Sequence, residues 1–309
     1  MPNGLTYPGL RCVLEYLEAA RRLHITARSP SLKRIDKSIP LRFEKLDIGN
    51  WYPIVNDLTI DFFKNEIISF YLSKSPEKKH KQRTPVKSEK ALDMWLHYYF
   101  GSKSIMHVNK MAFSCCLRNF TLSENLNLKV NELDTQHSSF DEFLPFIDPQ
   151  SFPLRRLTTK VRGPEFFDHP VLLSADHLLI IITPLCRVKE LTELQRIQRK
   201  NLWFKLSPLH TANVNQLILN WVENGKEVGT KFVLMDMHGP LGLQLWDSRI
   251  TEFLDELKEI NTRFLPRLPR FSIPINQRSK ILCYGIKTEH DGKSVQQLII
   301  EVVDSTTPE

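Results

Sequence analysis

The sequence has few cysteines, and none of them belongs to a paired motif. Cys12, Cys115, Cys116, Cys186 and Cys283 make an odd set without Cys-x-x-Cys spacing, which argues against both a zinc site and a disulfide framework. We interpret them as small apolar side chains in a reducing compartment. The sequence therefore predicts no metal site and no cofactor.

Long apolar runs are also missing. Charges at Arg11, Glu15, Glu18, Arg21 and Arg22 interrupt the first thirty residues, where a secretory signal would need an uncharged apolar centre. No stretch reaches the roughly eighteen apolar residues that a membrane helix requires. We therefore expect a soluble, intracellular protein, cytoplasmic or nuclear.

Signatures of known catalytic sites are lacking too. There is no Gly-x-Ser-x-Gly, His-Glu-x-x-His or Gly-x-Gly-x-x-Gly motif,. Residues 239–242 come nearest to a phosphate loop, but Pro240 removes a backbone donor there. The pairs Asp168-His169 and Asp176-His177 would point apart on a strand. We predict no catalytic residue, and a hydrolase that uses His238 or a cysteine remains only a remote alternative.

Most of the net charge of +7 on 309 residues comes from one stretch. Between Lys74 and Lys90 lie seven Lys or Arg and two Glu, with Pro76, Pro85 and the single apolar residue Val86. Such a composition cannot bury enough apolar surface to order itself. We expect a basic linker or loop at 73–91, and we disfavour nucleic-acid binding because no aromatic residues are interleaved with the charges.

The first forty residues show helical spacing. The apolar positions are Leu10, Val13, Leu14, Leu17, Leu23, Ile25, Leu32 and Ile35. A break at Ser29-Pro30 divides them, because the residue before a proline disfavours helix. This pattern predicts two or three short helices over residues 1–40.

A different pattern begins after residue 40, in which a short strand precedes a helix-forming stretch. The central apolar residues of the copies are Leu46, Met111, Leu133, Leu157, Leu178 and Leu202. From Met111 onward the copies are 22, 24, 21 and 24 residues apart, within the period of about 20 to 29 residues typical of stacked strand-plus-helix repeats. We predict an α/β fold: a short N-terminal helical segment, then an irregular leucine-rich-repeat-like strand/helix stack over 41–305.

Three helices and a hairpin complete the prediction. The first helix would contain Phe140, Phe143, Leu144 and Ile147,. The second would run between an N-cap at Thr211 and a stop at Gly225, with Val214, Leu217, Ile218, Trp221 and Val222 on its apolar face,. The third would begin at Asp247 and contain Ile250, Phe253, Leu254 and Leu257,. Residues 281–303 alternate around a turn at 290–292, which is typical of a β-hairpin,.

Side chains between the buried positions of such strands would face outward. We predict that they form a concave partner-binding surface, consisting of Lys110, Glu132, Asp134, Thr158, Lys160, Trp203 and Lys205. Trp203 would be the best anchor, since exposed Trp residues dominate interface energies. A shift of one residue in the strand would instead place Trp203 in the core.

Three segments resemble the nematode F-box C proteins. They are LTYPGLRCVLEYLEAARRLHITARSPSLKRIDKSIPLRFEKLDIG, FDEFLPFIDPQSFPL and LILNWVENGKEVGTKF, and the resemblance spans most of the chain. It implies a divergent F-box over residues 1–40, followed by a large F-box-associated domain of unknown function. F-boxes bind a Skp adaptor and through it a cullin ubiquitin ligase, so these are the implied partners.

The resemblance also implies adaptor-binding positions. They are Pro8, at the Leu-Pro start of an F-box; Val13, Leu14, Tyr16 and Leu17, at its first apolar helix; and Leu32, at a later helix. The chain departs from the pattern in two ways: the Pro8-to-Leu17 spacing is shorter than usual, and Leu32 replaces the customary Trp. Alternatively, these helices cap the open end of the repeat stack.

The expected function is therefore a non-enzymatic interaction protein. The first hypothesis is an F-box substrate receptor that links a protein target to a Skp/cullin ubiquitin ligase. The alternative is a scaffold that binds proteins with no ubiquitin link.

Overall fold

The chain forms two compact units, Met1–Arg156 and Leu157–Glu309. A computed structural model describes residues 7–49, 52–64, 67–73, 75–83, 90, 94–97, 106–113, 126–136, 138–160, 164–182, 197, 199–206, 214–236, 270–290 and 293–307. The predicted α/β class is confirmed, with a large sheet of parallel and antiparallel strands and a few helices in the described part. The division at residue 156 lies within the predicted 41–305 region, and the predicted boundary at residue 40 stays a prediction.

The first unit begins with helices and continues with strands. Its helices are α1 (Tyr7–Tyr16), α2 (Ala19–Ala27) and α3 (Pro30–Asp36). Its strands are β1 (Leu41–Asp47), β2 (Ile54–Val55), β3 (Leu58–Lys64), β4 (Ile67–Leu72), β5 (His80–Arg83), β6 (Met106–Ala112) and β7 (Leu128–Asp134), in the sheet order β5-β4-β3-β2-β1-β6-β7.

The helix boundaries follow from local side-chain capping. The Glu18 carboxylate accepts a hydrogen bond from the Arg21 backbone N–H (3.0 Å) at the start of α2. The Ser29 hydroxyl accepts one from the Leu32 N–H (3.4 Å), and Pro30 occupies the first turn of α3. Both arrangements satisfy backbone donors that have no partner inside a helix. The predicted helices and the break at Ser29-Pro30 are confirmed.

A buried ion pair joins α2 to α3. Arg22 and Asp36 are 2% and 3% exposed, and the Arg22 Nε donates to the Asp36 carboxylate. The Arg22 guanidinium also donates to the carbonyls of Ile39 (2.8 Å) and Pro40 (3.0 Å). One side chain therefore satisfies backbone acceptors between α3 and β1, where water is excluded.

Asn56 provides a second connection between the helices and the strands. It has a left-handed backbone (φ 54°), a conformation that Asn tolerates better than most residues,. Its Oδ1 accepts from the backbone N–H groups of Glu44 (2.9 Å) and Lys45 (3.2 Å). Its Nδ2 donates to the Glu18 carboxylate. The turn between β2 and β3 is thus fastened to both β1 and the start of α2.

The centre of the first unit is a parallel trio of strands, β1, β6 and β7. Pairing aligns Leu46 with Met111 and Met111 with Leu133, so the predicted central positions lie side by side. The first six residues of each strand share one pattern. The first, third and sixth are buried, and the second, fourth and fifth face outward. The Phe113 ring, just beyond β6, stacks on Phe143 with centroids 3.8 Å apart.

Antiparallel strands extend this sheet on the other side of β1. β2, β3, β4 and β5 each pair with the preceding strand in antiparallel fashion. Because β5 spans His80–Arg83, the prediction of a linker or loop throughout 73–91 is wrong for these four residues. The segment has no alternation of apolar and polar residues that would indicate a strand. It forms one because pairing with β4 supplies backbone hydrogen bonds, which the composition does not reveal,.

The helix predicted around Phe140 is also corrected. Residues Phe140–Glu142 and Leu144–Phe146 form two short 3-10 turns, and a third spans Pro149–Ser151. Pro145 explains the difference, because proline removes a backbone donor and clashes with the preceding turn of an α-helix. Phe140 and Phe143 are nevertheless buried, as the apolar pattern indicated.

The second unit has its own helices and strands. Its α-helices are α4 (Pro170–Ser174) and α5 (Val214–Asn224), and a 3-10 helix spans Pro164–Asp168. Its strands are β8 (Arg156–Lys160), β9 (His177–Ile182), β10 (Asn201–Leu206), β11 (Lys231–Asp236), β12 (Arg270–Pro274), β13 (Ser279–His290) and β14 (Lys293–Asp304), in the order β8-β9-β10-β11-β14-β13-β12.

The core of the second unit lies between α5 and one face of the parallel strands β9, β10 and β11. Trp221 of α5 packs edge-on against Phe232, with ring centroids 4.8 Å apart, and Phe204 lies 5.1 Å from Phe232. The helix ends at Asn224, and Gly225 follows with φ 73°, a backbone conformation that favours glycine,. The predicted stop at Gly225 is confirmed.

The predicted hairpin over 281–303 is also confirmed, since β13 and β14 pair in antiparallel fashion from Ser279↔Asp304 to His290↔Lys293. The helix predicted after Asp247 and the N-cap at Thr211 lie outside the described residues. Among those that are described, no helix is long and apolar enough to cross a membrane.

We expect the Arg22→Met substitution to destabilise the first unit by about 3–5 kcal/mol, because it removes the Arg22 guanidinium from the buried Asp36 carboxylate,. Chemical denaturation measures this difference. The matched control is Arg21→Met at the neighbouring exposed position, which should change stability by no more than about 0.5 kcal/mol,. Equal effects of the two substitutions would show that the buried pair is not the connection between α2 and α3.

Candidate interaction surfaces

The helical segment exposes large apolar side chains. Tyr16 at the end of α1 is 86% exposed, Tyr7 is 58% exposed and Val13 is 48% exposed. On α2, Ile25 is 42% exposed. Single exposed apolar residues are common on protein surfaces, whereas here four of them lie within two short helices,.

The predicted adaptor-binding residues divide into three groups. Pro8, Val13 and Tyr16 are exposed, and Leu17 and Leu32 are partly buried. Leu14 is only 2% exposed, so its side chain contributes to packing of the helices and is not open to a partner. The Leu14 assignment is therefore corrected, because the residue points to the inner side of α1.

On the first unit, the predicted partner-binding residues Lys110 and Glu132 are direct neighbours. Pairing aligns Lys45 with Lys110 and Lys110 with Glu132, and it also places Asp134 beside Ala112. Lys110 is exposed, whereas Glu132 and Asp134 are partly buried. The register thus brings the three predicted residues together on the outer face of β6 and β7.

A ladder of polar side chains crosses the same three strands. The Asn109 Nδ2 donates to the Glu44 Oε1 (2.8 Å), and the Asn131 Nδ2 donates to the Asn109 Oδ1 (3.0 Å). The sequence did not predict this ladder, because its neighbouring members are 65 and 22 residues apart and the first of them is a glutamate. The signal that could have found it is the equivalent position, one residue before Lys45, Lys110 and Glu132 in each repeat.

A row of basic side chains lies beside the ladder. Pairing aligns Arg42 with His107 and His107 with Lys129. The Lys129 Nζ donates to the Gln150 Oε1 (2.7 Å) and lies 3.9 Å from the Asp148 carboxylate. We call Arg42, His107 and Lys129 the basic row. It was invisible in the sequence, because the three residues are brought together only by the strand register.

The basic row perturbs the protonation of its central member. Partial burial lowers the pKa of His107 below its ordinary value, and the charges of Arg42 and Lys129 lower the pKa further, while Asp148 opposes them. Burial and like charges both disfavour the cationic imidazole. His107 is therefore held toward its neutral form.

On the second unit, the predicted partner-binding residues are less exposed than expected. Thr158 is buried, at 6% exposure, so its assignment to an open surface is corrected. Lys160, Trp203 and Lys205 are partly buried. Leu202, the neighbour of Trp203, is completely buried, and successive strand residues face opposite sides of a sheet.

Trp203 lies in an apolar row on the face of the strands opposite Phe232,. Strand pairing aligns, in order, Leu179, Trp203, Val233, Ile299 and Tyr284. Val233 and Ile299 are buried and the other three are partly buried. The row places neighbouring side chains close enough to contact each other across strands, so Trp203 is partly covered by this row.

Polar groups border the apolar row. The His177 ring meets Trp203 edge-on with centroids 5.5 Å apart. The Tyr284 hydroxyl donates to the Glu301 carboxylate (3.1 Å), which also lies 3.5 Å from the Lys231 Nζ. Burial is the main cause that raises the pKa of Tyr284. Val233 and Ile299, at the centre of the row, are each only 4% exposed and form a core cluster against which Leu179, Trp203 and Tyr284 pack.

The residues considered for catalysis have structural roles where they are described. The His169 Nδ1 accepts a hydrogen bond from the Val171 N–H (3.2 Å) and caps α4. Cys283 is completely buried, and burial raises the pKa of its thiol. Within the described ranges, no three His, Cys, Asp or Glu side chains are grouped as a metal site would need. His238, residues 239–242 and Cys115-Cys116 lie outside the described residues.

Comparisons with known proteins add one match. Residues 87–235 match the model of a family described as a domain of unknown function (DUF3557). This region is a little under half of the chain and contains β6 to β10 and all but the last residue of β11. No curated protein and no solved structure matches the chain.

The protonation of His107 should make stability depend on pH. Its unfolded pKa is about 6.5, and its folded pKa is lower, so the unfolded chain binds more protons as the pH falls through this window. His107 therefore destabilises the fold below about pH 6.5. We expect His107→Gln to reduce the loss of stability between pH 7.5 and 5.5, measured by chemical denaturation.

The control is a direct NMR titration of the His107 imidazole in the unsubstituted protein and in the Arg42→Gln variant. Arg42→Gln should raise the pKa of His107, because Arg42 is one of the charges that lower it. A His107 pKa at or above its ordinary value in the unsubstituted protein would contradict the arrangement of the basic row.

Trp203 and Trp221, the tryptophans of the second unit that lie among the described residues, test the strand register. Trp221→Ala should cost about 3–5 kcal/mol because Trp221 is fully buried in the core,. Trp203→Ala should cost less, about 2 kcal/mol, because Trp203 is partly exposed on the other face,. Thermal and chemical denaturation measure both. If the two losses are equal, Trp203 belongs to the core and the outward assignment fails.

Proposed function

We propose that this chain is a protein-interaction molecule that resembles an F-box substrate receptor. In this proposal α1 to α3 bind a Skp-type adaptor and its cullin ligase, and the outer faces of the strands capture a protein target. The observation that carries the proposal is the repeated strand: β1, β6 and β7 share one burial pattern in parallel register and present their intervening side chains outward.

The repeated strand supports a leucine-rich-like stack. The central positions of all six copies, from Leu46 to Leu202, are buried. In each copy the buried central residue also follows two outward residues. In the first three copies these outward residues are 44 and 45, 109 and 110, and 131 and 132. Repeats of this kind use one side for packing and leave the other for binding. The insertion of β2 to β5 between the first two copies makes the stack irregular.

The helical segment supports the adaptor-binding part of the proposal. Val13 and Tyr16 expose apolar surface on α1, at positions where the resemblance to F-boxes places adaptor contacts. Arg22 and Asp36 hold α2 and α3 in a fixed arrangement, and rigid presentation lowers the entropic cost of binding. A small helical module with an exposed apolar edge is suited to docking on another protein.

A scaffold without a ubiquitin link is the second candidate. The observation that favours it is the close connection of the helices to β1, through Arg22 at the Ile39 and Pro40 carbonyls and through Glu18 at Asn56. These contacts are what a structural cap at the end of a repeat stack requires. The same segment would then stabilise the sheet and bind no adaptor.

The adaptor test uses the full chain, because deletion of residues 1–40 would also remove Arg22 and its partner. We expect the intact protein to retain a purified Skp adaptor with its cullin in a pull-down. Val13→Asp and Tyr16→Asp should each weaken this binding at least tenfold, as about 1.4 kcal/mol of lost apolar contact would. Both side chains are exposed, so the melting temperature should not change.

Leu72→Asp is the matched control, since Leu72 is a 56% exposed apolar residue on β4 of the same unit. It should bind the adaptor as the unsubstituted protein does. If the folded, unsubstituted chain does not bind the adaptor, the helices are a cap and the scaffold is the better description.

A further inference from the structure

We propose that the basic row of Arg42, His107 and Lys129 is a recognition site for a short acidic segment of a protein, with carboxylates at alternate positions. Nothing in the repeat pattern or in the resemblance to F-box proteins assigns this site. It rests on the proposed capture function, because it names the chemistry of the target that the first unit would hold.

The geometry of the row fits this ligand. The three side chains start from adjacent paired positions of β1, β6 and β7, and neighbouring strands lie about 4.8 Å apart, so the row extends about 10 Å across the sheet. Side chains on one side of an extended peptide are about 7 Å apart. An acidic segment crossing the strands can therefore place two carboxylates on the row.

The charges of the row are open to such a ligand. Arg42 is exposed and makes no ion pair within the described part of the chain, and His107 is partly exposed. Lys129 is held by Gln150 and faces Asp148 at 3.9 Å, which fixes its position and only partly offsets its charge. Arginine favours carboxylates because its planar guanidinium can donate two parallel hydrogen bonds.

The surroundings favour a short acidic peptide over nucleic acid. The next positions along the strands hold the ladder of Glu44, Asn109 and Asn131, whose amides can hydrogen-bond a peptide backbone. Beyond the ladder lie Lys45, Lys110 and Glu132, so the basic row is not continued by the long, uninterrupted basic track that a nucleic-acid backbone needs. The basic row also has no aromatic member on which a base could stack.

Binding should be coupled to proton uptake at His107. The groups that face this imidazole are Arg42 and Lys129 from the neighbouring strands and Asp148 from the segment that follows. A bound carboxylate would stabilise the imidazolium and oppose the two cations. The affinity for an acidic peptide should therefore rise as the pH falls from 7.5 to 6.0.

The test measures the binding of a fluorescently labelled hexaglutamate peptide to the full chain by anisotropy at low ionic strength. We expect Arg42→Gln to weaken binding about fivefold, the effect of one exposed, charge-assisted contact. We expect His107→Gln to remove the increase in affinity at pH 6.0. Added salt should weaken binding of the unsubstituted protein, because the contacts are exposed to solvent.

Arg34→Gln is the matched control, because Arg34 is an exposed residue of α3 in the same unit and its loss changes the net charge equally. It should leave peptide binding unchanged. Equal losses with Arg34→Gln and Arg42→Gln would reveal nonspecific attraction and overturn the proposal, as would an unsubstituted protein that does not bind the peptide.

A single-stranded oligonucleotide of the same charge separates the ligand classes. Weaker binding of the oligonucleotide than of hexaglutamate supports the proposal, and tighter binding that Arg42→Gln abolishes would reassign the row to nucleic acid. The adaptor pull-down does not involve the basic row, so loss of adaptor binding with retained peptide binding would refute only the ligase connection.

Discussion

The parallel register of β1, β6 and β7 is the constraint on which the surfaces of the first unit depend. Each strand inserts two outward residues at the same place, between Phe43 and Leu46 in β1 and at the equivalent positions of the other two. A shift by one residue would turn the buried positions toward solvent. Burial of Leu46, Met111 and Leu133 in one row therefore also determines which outward side chains become neighbours.

The helical segment packs against the rest of the first unit on one side and exposes apolar side chains to solvent on the other. Its inner side holds the buried Arg22–Asp36 pair and Leu14, and its outer side exposes Val13 and Tyr16. A buried pair contributes little net stability compared with apolar packing, but removing one partner is costly. Its value here is geometric, because the guanidinium connects α2 to the end of α3 and to the residues that enter β1. Capping the sheet and presenting a docking edge are therefore compatible roles.

Local patterns in the sequence predicted the elements that local chemistry controls. The break at Ser29-Pro30, the central residues of the strands and the stop at Gly225 all follow from caps, periodicity or glycine conformation. Predictions failed where pairing with another strand decides the outcome, as for β5, which pairs with β4. The basic row and the polar ladder could not be predicted either. Neighbouring members of each are 22 or 65 residues apart, and only the register brings them together.

The strands of the two units differ in the chemistry of the face opposite their main core. On β1, β6 and β7 this face is polar and charged, with Arg42, Lys110 and Asn131 exposed. Contacts made there would chiefly affect the rate of association and its specificity, and salt would weaken them. In the second unit the row from Leu179 to Tyr284 is apolar, and Val233 and Ile299 at its centre are only 4% exposed. Side chains buried to this degree stabilise the fold by excluding water and are not open to a target. A target held by the strands should therefore be selected by the charge pattern of the first unit.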